Sequence, residues 1–196
     1  MKKSTLVIVI IIAVVVILGG CGVSKYNKIV NLDESVKTSW GTVQSQYQRR
    51  TDLIPNLVAT VKGAANFEKE TLTQVIEARA KATSIQVRAD DLTPEKVQQF
   101  QAAQGQLSAA LGRLLAVSES YPTLQANQNF KDLQAQIEGT ENRIAVARKD
   151  FNDQARVYNS AIRTFPNNIV AGFGGFQQRP YFEAQPGAEN APKVQF

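Results

Sequence analysis

Phe130, Ile137, Ile144, Phe151, Tyr158 and Phe165 stand seven residues apart, with Leu133, Ala147, Ala155 and Ile162 beside them. Apolar residues at that interval, with a second set three or four positions away, line one face of an α-helix. No period-two pattern competes with it anywhere in the chain. The segment therefore reads as a long helix that has to bury one seam against other helices.

A second ladder precedes it. Tyr26, Trp40, Tyr47, Ile54 and Val61 form one rung, and Ile29, Val36, Val43, Leu57 and Ala64 the other, with Asp33 and Arg50 as polar intruders. Pro55 lies inside this ladder, which keeps its phase across it, so the spacing predicts a kink in one helix and no reversal. Gly63 and AANFEKE mark the turn into a second helix over about 66–88. Thr93 as N-cap with Pro94 behind it starts a third, which stops near Tyr121-Pro122. Phe165-Pro166-Asn167-Asn168 closes the fourth, and the rest has Gly, Pro and aromatics without a period. The fold class expected is all-α: an elongated antiparallel four-helix bundle with a kinked first helix, an N-terminal membrane anchor and an irregular C-terminal tail. The expected divisions are 1–21 for the anchor, 22–166 for the helical domain and 167–196 for the tail.

The anchor is read from Met1-Lys2-Lys3 followed by the apolar run Leu6 to Leu18. At about 13 residues the run suits a signal peptide and falls short of the ~20 of a membrane span, although its Ser, Thr and Gly flanks can extend it. Leu18-Gly19-Gly20-Cys21 resembles a bacterial lipobox, which makes Cys21, the single cysteine, the expected site of lipidation and mature N-terminus. The alternative is an uncleaved membrane helix. Lys2 and Lys3 ahead of the run put the short end in the cytoplasm and the remainder in the cell envelope, outside the cytoplasm.

Composition narrows the chemistry. The chain has no histidine, which removes the commonest general base and zinc ligand together. Gly172, Gly174 and Gly175 follow no strand and precede no Lys-Ser/Thr pair, so they form no phosphate loop. Glu77, Glu138 and Glu141 lack the Glu-x-x-His partners of a di-iron bundle. The net charge of +5 is spread as solvated helix faces, so no nucleic acid is expected as partner.

Longer segments carry a resemblance. YNKIV at 26–30, RRTDLIPNLVATVKG at 49–63, SESYPTLQANQNF at 118–130, TENRIAVARKDFNDQARVYNSAIRTFP at 140–166 and YFE at 181–183 resemble the signature segments of LemA family proteins. The resemblance implies a membrane-attached, elongated antiparallel four-helix bundle of no established activity. It also implies an envelope partner such as a membrane protease.

The function expected is that of a non-catalytic membrane-anchored envelope protein, a scaffold or adaptor working through protein contacts, with no cofactor and no metal. A lipid-binding or membrane-remodelling protein is the alternative, and an enzyme running on carboxylates alone is a third class. Beyond membrane lipid and an unknown envelope protein, self-association is left open. Two regions are candidate contacts. One is the polar group Arg49, Arg50, Asp52 and Asn56 beside Pro55, whose structural reading has Asp52 bonding the loosened backbone and Arg50 pairing with Glu141. The other is the tail aromatics Phe173, Phe176, Tyr181 and Phe182. Trp40, Tyr47, Phe151, Tyr158 and Phe165 read as core. Because the first and fourth helices would outrun the other two, a stalk nearest the membrane would leave Ile29, Val36, Tyr158, Ile162 and Phe165 with one partner helix. The tail, beginning at that end, could pack there, touch lipid or bind a protein.

Overall fold

The computed structural model describes residues 3–64 and 67–183. The described chain is helical, with α1 (Lys3–Lys62), α2 (Lys69–Ser84), α3 (Pro94–Ser118), α4 (Pro122–Gln125), α5 (Gln128–Arg163) and α6 (Asn167–Gly174), plus a 3-10 turn at Ala89–Asp91. Met1, Lys2, Ala65, Asn66 and residues 184–196 of the readings above lie outside the described residues.

α1 runs through Pro55 as one helix without reversing. Pro55 has no N–H to give the Thr51 carbonyl one turn back, and Arg79 Nε of α2 supplies the missing donor at 3.3 Å. The third helix starts as its sequence predicts, with the Thr93 hydroxyl accepting from the Lys96 amide and Pro94 in the first turn. Elsewhere the boundaries differ. α2 stops at Ser84 and not near 88, because the chain turns extended at Ile85 and the Val87 carbonyl is taken by Trp40 Nε1 (2.9 Å) and Gln44 Nε2 (3.0 Å). The fourth long helix begins at Gln128, where Asn127 Oδ1 accepts from the Phe130 amide.

Two apolar clusters divide the length. The one remote from the N-terminus gathers Ile54, Leu57 and Val61 of α1, Leu72 and Val75 of α2, Leu107, Leu111 and Leu114 of α3, Leu124, Phe130 and Ile137. The other holds Ile29, Val36, Trp40 and Val43 of α1 against Phe151, Ala155, Tyr158 and Ile162 of α5, with Phe100, Ala171 and Phe182. Trp40 lies 5.4 Å from the rings of both Phe100 and Phe151 and 5.7 Å from Phe182. Where α2 and α3 do not reach, the C-terminal segment fills in.

That segment is not irregular throughout, as its composition suggested. Asn167–Gly174 is helical, and it ends in a Schellman turn: Gly175 takes φ +70°, the Phe176 amide donates to Ala171 O (3.0 Å) and the Gly175 amide to Gly172 O (3.4 Å). Gly174 is needed for space, since a Cβ there would stand 2.6 Å from the Phe176 ring and 3.2 Å from Tyr26. Residues 176–183 then run without helix or strand back along α1 and α5.

Candidate interaction surfaces

The polar group at Pro55 divides between core and surface. Arg50 is 1% exposed and joins three helices: its Nη1 donates to Glu141 Oε1 of α5 (2.5 Å) and Ser108 Oγ of α3 (2.6 Å), and its Nη2 to Gln104 Oε1 (2.7 Å). The guanidinium also lies 5.2 Å over the Tyr47 ring. The expected pairing of Arg50 with Glu141 is present. Asp52 does not bond loosened backbone; it accepts from Gln48 (2.6 Å), and Arg79 holds the freed carbonyl. Arg49, Asp52 and Asn56 are exposed. Arg49 and Asp52 line an open groove with Gln44, Ser45, Gln48, Leu53 and Gln136.

The tail aromatics separate in the same way. Phe182 is 6% exposed, packed against both Trp40 (5.7 Å) and Phe151 (5.5 Å) with Arg148 4.8 Å above its ring. Phe176 is half-buried against Tyr26 at 5.4 Å. Tyr181 is exposed, its hydroxyl accepting from Asn159 Nδ2 at 3.0 Å. Phe173 is 92% exposed.

Two asparagines fix this segment, and neither was singled out from the sequence. Asn159 Oδ1 accepts from the Arg179 amide (2.8 Å) while its Nδ2 donates to the Arg179 carbonyl (2.8 Å). Asn152 makes the same pair with Phe182, at 2.8 and 2.9 Å. Seven residues of helix advance about 10.5 Å and three extended residues about 10 Å, so the two clamps match in pitch. The Tyr158 hydroxyl adds a bond to Gln177 O (3.0 Å).

A charged chain completes the hold. Arg179 donates twice to Asp33 Oδ1 (2.9 and 2.6 Å), and Asp33 Oδ2 faces Lys37 (3.3 Å), which also reaches Glu34 and Asp90 (3.0 Å each). Asp90, then Glu34 and Asp33, hold the Lys37 ammonium well above its ordinary range against a smaller desolvation effect, and Lys37 in turn pulls the Asp90 carboxyl down. The intruder Asp33 is thus the post to which the tail is tied.

Cys21 is a free, exposed thiol in α1. Among the described residues, no group of three or more His, Cys, Asp or Glu side chains could hold a metal ion. The apolar part of α1 near the N-terminus is long and apolar enough to cross a membrane, with Ile8, Ile10 to Ile12 and Val14 to Ile17 all 48–67% exposed.

A family model described as LemA family matches residues 39–196. Among curated relatives, magnetosome protein MamQ 2 of Paramagnetospirillum magneticum is 28% identical over an alignment of 184 residues that covers 84% of this chain and 67% of that protein. Magnetosome protein MamQ of Magnetospirillum gryphiswaldense is 27% identical over the same length and shares. Protein LemA of Metamycoplasma hominis is 26% identical over 149 residues, 76% of this chain and 64% of that one.

Proposed function

We propose, for a chain that belongs to the LemA family, a non-catalytic role: a membrane-anchored envelope protein that serves as adaptor or scaffold for another envelope protein. The observation that carries this reading is the continuity of α1, one helix from the apolar segment to Lys62. A partner bound along its outer part is held at a fixed distance from the bilayer, up to ~60 Å for the 41 residues from Gly22 to Lys62.

In this proposal the four long helices work as an elongated antiparallel bundle in 22–166, residues 1–21 are the anchor, and the body lies outside the cytoplasm. Within that reading, either the apolar run is cleaved as a signal peptide and Cys21, acylated, becomes the attachment point, or the run stays and spans the membrane itself. The groove of Arg49, Asp52 and Gln136 is the protein-binding face, because its charged groups are exposed and not spent on the fold. A membrane protease is the partner class that the family resemblance favours. A photo-crosslinking residue in place of Arg49 or Gln136, in cells, is expected to capture one and the same membrane protein. The same probe at Val146, exposed farther along α5, should not. Capture of nothing from the groove, or of the same set from all three positions, would end the adaptor reading.

A further inference from the structure

Where α5 ends, the molecule carries an apolar face that nothing in the described chain covers. α6 packs Val170 and Ala171 against α1 and α5. Its opposite side presents Ile169 and Phe173, one turn apart, with Phe165 just ahead of them; these are 51%, 92% and 80% exposed. Gly172 adds no side chain between them.

We propose that the Phe165–Ile169–Phe173 face docks into the lipid bilayer at the headgroup boundary, beside the anchor of α1, as a second point of membrane attachment. Position supports lipid as the occupant. Phe176, at the end of α6, stands against Tyr26, which is five residues, or about 7.5 Å of helix, beyond Cys21. The anchor is at that level whether it is a spanning helix or an acylated cysteine. Apolar exposure is continuous along α1 at the same end, through Ile17, Val23 and Tyr26. An aromatic and aliphatic face on a short helix lying beside an anchor is the pattern of an interfacial segment.

Charge supports it independently. Residues 22–32 and 154–182 contain no Asp or Glu, whereas they contain Lys25, Lys28, Arg156 and Arg163 besides Arg179. Arg179 is taken by Asp33 and Arg156 lies 3.6 Å from Asp153, while Lys28 and Arg163 are exposed. The end of the body nearest the anchor is therefore purely cationic, which suits an anionic lipid surface.

The inference rests on the membrane anchoring of the chain and not on the adaptor role. The test is Phe173→Trp in the full chain, reconstituted in vesicles of phosphatidylcholine and phosphatidylglycerol with brominated acyl chains. Trp40 is fully buried and about 21 Å along α1 from Tyr26, so its background is insensitive to lipid. Flotation of the parent protein with the vesicles reads the anchor separately. The new indole is expected to be quenched by brominated lipid and protected from aqueous iodide. Val146→Trp, midway along α5, should behave in the opposite way. Iodide quenching at position 173 without lipid quenching would overturn the proposal by placing the face in water. Protection from both would overturn it by placing a second copy or another protein there.

Discussion

Arg50 shows how a buried charge is handled at the scale of one residue. Its planar fork reaches three acceptors on two other helices, which an ammonium on a flexible stem could not match. Removing the carboxylate leaves the cation in an apolar setting with only neutral partners, so Glu141→Ala is expected to lower stability by about 3 kcal/mol, measured by urea unfolding. Arg50→Met should cost less, because Glu141 is 41% exposed and can turn to water. Pro55 and Arg79 are coupled in a comparable way. Arg79→Ala strips the Thr51 carbonyl of its donor and should cost about 1 kcal/mol. In a Pro55→Ala background the backbone amide returns and the same change should cost almost nothing, which a double-mutant cycle reads directly.

At the scale of elements, the long helices were legible because their seams repeat every seven residues and Thr93-Pro94 punctuates one start. α6 was not. Its eight residues, NNIVAGFG, are too few to repeat a seam, and its two glycines, following Pro166, read as loop. The strap of residues 176–183 was hidden for another reason: its partners are 19 to 146 positions away in the chain. A trace of it was nevertheless present. Asn152 and Asn159 each follow a seam aromatic, Phe151 and Tyr158, and so share one edge of α5. Phe182→Ala should cost about 3–5 kcal/mol, since it leaves a cavity beside the Trp40–Phe151 pair. A thermal melt of the full chain checks this.

For the whole molecule, the absence of histidine and the direction of the shifted groups give a pH profile. Asp90 titrates below its unfolded value, so its contribution is present above about pH 4 and is lost as pH falls through its folded value. Lys37 titrates above its unfolded value; its contribution is complete below about pH 10 and is lost as pH rises further. Burial raises Tyr47 and Tyr158 and works in the same alkaline direction. Stability should be flat from about pH 5 to pH 9 and fall outside it, as a series of melts would record. A sensor of mild acidification is not what this body is built to be.

The same scale joins the two ends of the chain. Residues 176–183 return along α1 and α5, close the half of the core nearest the N-terminus and leave α6 with its apolar side outward. The expectation that a stalk there would need something to cover it is met by this segment for Ile29, Val36, Tyr158 and Ile162, which are buried, and not for Phe165. Removing the tail would accordingly remove core, so loss of a partner on truncation would not by itself locate a binding site. Amide hydrogen exchange of the intact chain tests the closure most directly. Arg179 and Phe182, whose amides are held by Asn159 and Asn152, should exchange as slowly as amides in the middle of α5. Exchange of both as fast as a free peptide would contradict the strap and, with it, the placing of α6 beside the anchor.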